Sequence, residues 1–302
     1  MVFHLRNSLG TSNLRLNLKI IIFMAAIYQP SGAAREYSPL ALNYIKGCDH
    51  GCAYCYVPKM MKRFDAGYVH SDVYIKEESA LIKEIVSSAR KYKNSPQQVF
   101  LSFLTDPYSH FNKETKLTRR VLEILLEHQI PVSILSKGGY NVLEDLDIIK
   151  MFGENIQVGG SLTFTDDADS LKWEKNAALP QERFDALRIL HENGVKTWAS
   201  MEPVIYPAQS LEIMETTKGY VDAYKIGKLN HFPKHEDKFD WTQLLNDSIA
   251  VMRKHNKQFY IKNDLSLFAN EETFLHPHER DMDFLALSNN FKKKELFAGT
   301  LF

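Results

Sequence analysis

Cys48, Cys52 and Cys55 lie within one short run, and the 302-residue chain contains no other cysteine. The segment from Gly47 to Tyr56 also holds two glycines and an Asp-His pair, a composition typical of a loop. A loop of this kind can bend three thiolates toward one point. Thiolates are ligands of zinc and of iron–sulfur clusters. The spacing therefore predicts a metal or cluster site.

Three adjacent thiols have few alternative uses. An odd number cannot pair completely into disulfides, and no distant cysteine is present to fasten another segment. For zinc, His50 or His70 would complete a tetrahedron of three sulfurs and one nitrogen, although structural zinc sites usually take paired C-x2-C ligands from two segments. In an iron–sulfur cube, three thiolates bind three irons and the fourth iron stays open to another ligand. The spacing favours the cluster and leaves zinc as the alternative.

The C-x3-C-x2-C spacing, with Tyr54 directly before the last cysteine, resembles the signature of the radical S-adenosylmethionine (radical SAM) superfamily. The resemblance implies that Cys48, Cys52 and Cys55 bind a [4Fe-4S] cluster and that Tyr54 packs near the adenine of S-adenosylmethionine. In that superfamily, the reduced cluster cleaves S-adenosylmethionine to methionine and a 5′-deoxyadenosyl radical, which abstracts hydrogen from a substrate. The cofactor carries this chemistry, while the protein holds and orients it.

Further segments extend the resemblance to the spore photoproduct lyase-like branch, also described as DNA repair photolyase-like. They follow one another over roughly residues 27 to 230, which makes the match more specific than the triplet alone. The matching segments are Ile27 to Gly32, Glu36 to Asn43, Tyr56 to Pro58, Ser102 to Tyr108, Glu114, Thr118-Arg119 and Ile134 to Lys137.

One departure argues against a true spore photoproduct lyase. Those enzymes use an additional cysteine as hydrogen donor just after the second strand, whereas this chain has Ser102 to Thr105 there and no fourth cysteine. Either a tyrosine such as Tyr108 or Tyr56 takes that catalytic role, or the reaction differs. We favour a different substrate.

Short β-branched or aromatic runs alternate with amphipathic helical stretches, which predicts a parallel sheet with right-handed crossovers. The resemblance implies an α/β fold with a partial (β/α)6 TIM-like barrel of the radical SAM type and an α-rich C-terminal extension. The predicted strands are 41–45, 98–103, 132–136, 156–162, 197–201 and 223–226, with 259–262 as a seventh.

Polar residues follow the second and third predicted strands, at the barrel end where active sites collect. The resemblance implies that Ser102, Thr105 and Asp106 meet the amino end of S-adenosylmethionine, since a carboxylate suits an ammonium group. Lys137 would pair with the methionine carboxylate. Asp106-Pro107 also begins a turn in which the aspartate bonds its own backbone.

Ser161 and Thr163 end the fourth predicted strand after two glycines that permit close approach of the ribose. Glu202 follows the fifth and would bind ribose hydroxyls or substrate. Local backbone bonding of the two hydroxyls, and a structural role for an acid before Pro203, are the alternatives.

Overall charge does not identify the substrate. Thirty-seven Lys and Arg balance thirty-seven Asp and Glu, so no global field attracts a polyanion. Lys59, Lys62 and Arg63 follow the cysteines, with Tyr56 nearby. Such groups are usually solvated, yet basic and aromatic residues together also bind phosphates and stacked bases. Nucleic acid is therefore one candidate substrate.

We expect an N-terminal extension over residues 1–23, a core over 24–234 and a C-terminal extension over 235–302 that packs on the barrel. The apolar segment from Leu18 to Ile27 has the length of a signal-peptide core, but an oxidising compartment suits an exposed reduced cluster badly. No apolar run approaches the roughly 20 residues that span a bilayer. A cytoplasmic protein is expected, with a flavodoxin- or ferredoxin-type electron donor.

Two hypotheses follow. The first is a radical SAM enzyme, spore photoproduct lyase-like without being a true lyase, that acts on an unidentified substrate. The second is a non-catalytic, zinc-stabilised nucleic-acid-binding protein. Metal analysis after anaerobic purification separates them, since one zinc without sulfide would favour the second.

Overall fold

An open, largely parallel sheet organises the protein. Within residues 26–291, which this computed structural model describes, eight strands pair in sequence order; β1 is antiparallel to β2, and the remaining pairs are parallel. The expectation of an α/β partial barrel is confirmed. The strands are β1 (Ile27–Tyr28), β2 (Leu40–Leu42), β3 (Val99–Leu101), β4 (Val132–Ser136), β5 (Ile156–Ser161), β6 (Lys196–Val204), β7 (Ala223–Lys228) and β8 (Gln258–Ile261).

Helices form the crossovers between parallel strands. The three predicted amphipathic helices correspond to α2, α4 and α7, whose apolar stripes are buried against the sheet. The helices are α1 (Val57–Met61), α2 (Glu78–Lys91), α3 (His110–Thr115), α4 (Leu117–Glu127), α5 (Leu146–Met151), α6 (Asp167–Trp173), α7 (Pro180–Glu192), α8 (Pro207–Thr217), α9 (Pro233–Glu236), α10 (Trp241–Lys254) and α11 (Asn263–Ser266). Among the residues described, no helix is both long and apolar enough to cross a membrane.

The C-terminal segment covers the amino-terminal end of the sheet. The backbone N–H of Leu287 donates to Gln98 Oε1 at 2.8 Å, and that of Asn290 donates to Asn155 Oδ1 at 2.6 Å, just before β3 and β5. Leu285 joins the cluster inside the barrel. The opposite, carboxyl-terminal end is therefore the one left for a site.

The expected boundary at residue 234 stays a prediction. Strand β8 lies beyond it and pairs with β7, so that part of the chain completes the sheet. The expected extension over residues 1–23 lies outside the described residues.

A lysine side chain is buried inside the barrel. Lys225 Nζ donates to the backbone carbonyls of Glu36 and Tyr37 at 2.6 and 3.0 Å and lies over the rings of Trp198 and Tyr260. Burial, reinforced by the neighbouring Lys262 ammonium, lowers the pKa of Lys225 to about 7. The folded protein therefore favours the neutral amine above that pH.

Lys225→Met should flatten the pH dependence of stability. Between pH about 7 and 10.5 the unfolded chain binds a proton that the folded protein lacks at Lys225, so the free energy of unfolding rises with pH. The slope from one such group reaches about 1.4 kcal/mol per pH unit. Loss of the two hydrogen bonds lowers the free energy of unfolding at every pH, but it does not change how steeply that free energy depends on pH. Denaturant unfolding between pH 7 and 10.5 measures both the offset and the slope of the free energy of unfolding, with the exposed Lys91→Met as control. If the free energy of unfolding changed with pH equally in wild type and Lys225→Met, the lowered pKa of Lys225 would be contradicted.

Candidate active site

A cavity of about 370 Å³ opens at the carboxyl-terminal end of the sheet. The three cysteines line it together with the ends of β3 to β7 and the loops that follow them. Of the residues that the sequence predicts for the site, the cavity wall contains Cys48, Cys52, Tyr54, Cys55, Tyr56, Ser102, Thr105, Asp106, Lys137, Ser161 and Glu202. Thr163 and Tyr108 are not among the residues that line it.

The first half of the cysteine loop packs against the segment around residue 70. Gly47 has φ +89°, and a Cβ there would lie 2.6 Å from the carbonyl oxygen of Asp72, so only glycine fits. The backbone N–H of Cys48 donates to the carbonyl of His70 at 2.8 Å. These contacts fix the direction in which the chain enters the loop.

The second half of the loop is fastened to the segment Trp173 to Asn176, which begins at the last residue of α6 and which we call the strap. Cys52 and Glu174 form an antiparallel bridge, and the N–H of Ala53 donates to the carbonyl of Trp173 at 2.7 Å. Asn176 donates to the carbonyl of His50 at 2.9 Å. The strap thus holds the part of the cysteine loop from His50 to Ala53.

A buried ion pair anchors the strap to the barrel. Arg183 Nη2 lies 2.6 Å from Glu174 Oε2, with side-chain exposures of 3% and 0%. The Tyr54 hydroxyl donates to Glu174 Oε1, and Thr163 donates to the same oxygen at 3.3 Å. Burial acts to raise the pKa of the Glu174 carboxyl, but the charges of Arg183 and Lys137 and the hydrogen bond from Tyr54 outweigh it, so the pKa is lowered. Glu174 is therefore a carboxylate.

Burial also governs the three thiols. It raises the pKa of Cys48 and Cys55, and it raises that of Cys52 to about 12. A thiol in this environment stays neutral until a bound cation favours the thiolate. Irons bound by the loop would supply that charge. The donor set thus fits a group that three cysteines hold.

The histidines considered as zinc ligands have other partners. His50 Nδ1 lies 3.5 Å from Asp106 Oδ2, and burial lowers the pKa of His50. His70 Nε2 lies 3.5 Å from Cys55 Sγ, and its Nδ1 lies 2.7 Å from the hydroxyl of Tyr68. In residues 26–291, no three His, Cys, Asp or Glu side chains are placed to hold a single metal ion.

Asp106 joins three segments of the site. Its Oδ1 accepts from the Tyr108 N–H at 2.9 Å and from the Ser136 hydroxyl at 2.6 Å, and its Oδ2 accepts from the Lys137 N–H at 2.6 Å. The turn that the alternative interpretation predicts is present. The expected contact between Asp106 and the amino group of S-adenosylmethionine stays a prediction.

Thr105 and Lys137 are freer to meet a ligand. The buried Thr105 hydroxyl has no hydrogen-bond partner in the described part of the chain. Lys137 Nζ lies over the Tyr54 ring, 5.6 Å from its centre. Burial acts to lower the pKa of Lys137, but Cys52 and Glu174 outweigh it and the pKa is raised. Ser102, by contrast, donates to Asn43 Oδ1 at 3.0 Å.

Glu202 lies in a charged cluster at another part of the cavity wall. Its Oε2 lies 2.6 Å from Lys262 Nζ and also accepts from the Tyr37 hydroxyl. Lys262 lies 4.4 Å from the centre of the Tyr37 ring. Ser161 lines the cavity, while its carbonyl accepts from Arg183 Nη1 at 2.9 Å.

The two tyrosines considered as hydrogen donors occupy different environments. Tyr56 lines the cavity, is 49% exposed and donates to the carbonyl of Phe103 at 2.9 Å. Tyr108 is 1% exposed, and its hydroxyl donates to Asp145 Oδ2 at 3.1 Å. The structure brings Tyr56 to the site and places Tyr108 in the core.

Sequence reasoning missed the residues that hold the site together. Glu174, Arg183 and Lys262 belong to no motif, and Tyr37 lies in the matching segment Glu36 to Asn43 without having been assigned a role. Each of the four meets its partner only through the fold. The one sequence signal for these residues was Glu174, a charged residue just before Lys175 and Asn176 in a segment with no periodic pattern.

Glu174→Gln should destabilise the protein strongly, because it leaves the Arg183 guanidinium buried without a counter-charge. Breaking a buried pair in this way costs about 3–5 kcal/mol. The control, Glu192→Gln, breaks an exposed pair with Arg188 and should cost at most about 1 kcal/mol. Guanidinium unfolding of both variants provides the measurement, and equal midpoints would contradict the role given to the buried pair.

Comparison with known proteins identifies relatives over much of the chain. Residues 42–220 match the model of the radical SAM superfamily. An uncharacterised protein of Methanocaldococcus jannaschii is 32% identical over 241 residues, which are 78% of this chain and 88% of that protein. An uncharacterised protein of Acidianus two-tailed virus is 26% identical over 184 residues, 58% of this chain and 60% of that protein.

Solved structures share the fold at low sequence identity. Spore photoproduct lyase complexed with dinucleoside spore photoproduct has a TM-score of 0.60 at 13% identity and covers 87% of this chain and 88% of its own. Streptococcus suis SuiB bound to S-adenosylmethionine has a TM-score of 0.55 at 14% identity, covering 91% and 61%. The superfamily match spans more than half of the sequence and includes the three cysteines that line the cavity. The chain belongs to the radical SAM superfamily.

Proposed function

We propose that this protein is a radical SAM enzyme that holds a [4Fe-4S] cluster through Cys48, Cys52 and Cys55 and binds S-adenosylmethionine in the adjoining cavity. When bound, the cluster supplies the electron that cleaves the sulfonium and yields the 5′-deoxyadenosyl radical. One observation carries the proposal: the three thiols lie on the wall of the same cavity that the polar strand ends line. The family membership supports it.

The chain's own residues would orient S-adenosylmethionine. The Thr105 hydroxyl, which has no hydrogen-bond partner within residues 26–291, is available to a polar group of the ligand, and the Lys137 ammonium is available to its carboxylate. Tyr54 is held by Glu174, so its ring forms a fixed surface for an adenine. Ser161 and Glu202 would approach the ribose, with Thr163 and Asp106 holding their neighbours in place.

A nucleic-acid substrate is the finer part of the proposal. Lys59, Lys62 and Arg63 are exposed beside the cysteine loop, and in the described residues none of them forms an ion pair. Tyr56 presents a half-exposed ring at the cavity, where a base would stack. The structurally similar lyase is described with a dinucleoside photoproduct.

The end of the reaction would differ from that of the lyase. Of the two tyrosines considered as hydrogen donors, the contacts support Tyr56, since it alone of the two lines the cavity. We further propose a cytoplasmic enzyme with a flavodoxin- or ferredoxin-type electron donor, because a reduced cluster requires a reducing compartment.

Anaerobic reconstitution tests the core of the proposal. Wild-type protein should carry about four irons and four sulfides per chain. With dithionite and S-adenosylmethionine it should form 5′-deoxyadenosine. Cys52→Ala should reduce that product to background, whereas the control Met151→Ala removes an exposed sulfur away from the cavity and should not. Zinc without sulfide, or no 5′-deoxyadenosine, would contradict the proposal.

Deuterium transfer tests the substrate class. With deuterated single-stranded DNA or RNA present, deuterium should appear in 5′-deoxyadenosine, and Lys59→Glu/Lys62→Glu should weaken this transfer about tenfold or more at low salt. The control pair Lys91→Glu/Lys93→Glu changes the same charge at the end of α2. Unlabelled 5′-deoxyadenosine formed at the normal rate would argue against nucleic acid while leaving the radical SAM activity intact.

A further inference from the structure

A histidine side chain contacts the sulfur of one cysteine. His70 Nε2 lies 3.5 Å from Cys55 Sγ, and the partly buried imidazole belongs to the cavity wall. The segment that carries His70 is fastened at two points. Its own carbonyl accepts from the Cys48 N–H at 2.8 Å, and Lys46 and Tyr74 form an antiparallel bridge nearby. The backbone therefore holds the ring beside the cysteine loop.

The second ring nitrogen has a buried partner. His70 Nδ1 lies 2.7 Å from the hydroxyl of Tyr68. Tyr68 is 5% exposed and packs in a small apolar cluster with Val57 and Met61 of α1, the helix that begins two residues after Cys55. A buried hydroxyl that donates to nothing costs free energy. Within residues 26–291 the acceptor in reach of this hydroxyl is His70 Nδ1.

These two contacts select one arrangement of protons. Under the proposed function Cys55 is a thiolate ligand, and a thiolate sulfur can accept a hydrogen bond but has no hydrogen to donate. His70 Nε2 must then carry a proton, because a bare ring nitrogen would turn its lone pair toward the sulfur. In a neutral imidazole the other nitrogen is an acceptor, which suits the Tyr68 hydroxyl as its donor. A chain of two hydrogen bonds results, from Tyr68 to His70 and from His70 to Cys55.

We propose that His70 is a positioning residue for the cluster, which donates from Nε2 to the Cys55 sulfur and thereby raises the reduction potential of the cluster. This inference rests on the proposed function, because it needs a cluster bound to Cys55. The positive end of the N–H dipole faces the sulfur and favours the state with one more electron. Hydrogen bonds to the sulfurs are one means by which proteins set cluster potentials. Tyr68 acts through His70, since it fixes the tautomer that donates.

A redox titration of the reconstituted protein, followed by electron paramagnetic resonance of the reduced cluster, tests this hydrogen bond. His70→Phe keeps a flat ring but removes the donor. At a fixed potential, we expect the ratio of reduced to oxidised cluster to fall about tenfold, which for a one-electron couple is a shift of about 59 mV to lower potential. His70→Gln supplies an N–H donor again and should regain part of this ratio. The control His278→Phe replaces an exposed histidine that is not among the cavity-lining residues, and it should match wild type.

Tyr68→Phe removes only the hydroxyl and tests the tautomer. His70 then stays in place without a donor to Nδ1, so its two neutral tautomers can interchange and the ratio should fall less than in His70→Phe. Iron and sulfide content and circular dichroism separate lost folding or loading from an altered potential. If His70→Phe does not hold the cluster, Tyr68→Phe decides.

Three results would count against these ideas in different ways. Wild-type potentials in the loaded His70→Phe and Tyr68→Phe proteins would overturn the inference and leave the proposed function intact. An equal loss in His70→Gln and His70→Phe would also overturn it, because packing rather than a donor would then set the potential. Absence of an iron–sulfur cluster in wild type would instead overturn the proposed function.

Discussion

The ion pair between Glu174 and Arg183 is the interaction on which the site depends. It joins the strap to the first turn of α7, and the strap in turn pairs with the loop that carries Cys52. A buried ion pair contributes little net stability compared with apolar packing, but it fixes geometry because every alternative arrangement leaves a charge unpaired. Here the fixed element is the position of Tyr54 and the cysteine loop over the barrel end.

Much of the barrel could be predicted from the sequence, for a physical reason. Strands buried on both faces read as continuous apolar runs, and the run Val99–Leu101, inside the predicted strand 98–103, is a strand of the sheet. Strand β1 was missed because two residues, Ile27 and Tyr28, are too few to show any periodicity. The cysteine triplet was recognisable because its ligands are adjacent in sequence.

The architecture around the triplet could not be predicted in the same way. Asp106 was identified as a site residue from its motif, yet its oxygens are committed to Tyr108, Ser136 and Lys137, contacts that exist only after β3 and β4 pair. Tyr108 lies only two residues further on and faces the core instead. A position at the end of a strand therefore predicts that a residue lies near the site, but the fold determines whether its side chain enters the cavity.

The contacts of the cavity side chains also restrict which of them can give a hydrogen atom to a substrate radical. All three cysteines are expected to serve as ligands, so no thiol is left, and a thiol is a weak hydrogen-bond donor that can give up hydrogen without first breaking a strong contact. The tyrosine hydroxyls on the described cavity wall already donate: Tyr37 to Glu202, Tyr54 to Glu174 and Tyr56 to the carbonyl of Phe103. Tyr37 and Tyr54 donate to carboxylates, the stronger acceptors, whereas Tyr56 donates to a neutral carbonyl. The hydrogen bond of Tyr56 is therefore the weakest of the three, and releasing its hydroxyl costs the least. This supports the proposal that Tyr56 is the hydrogen donor, in addition to its position on the cavity wall.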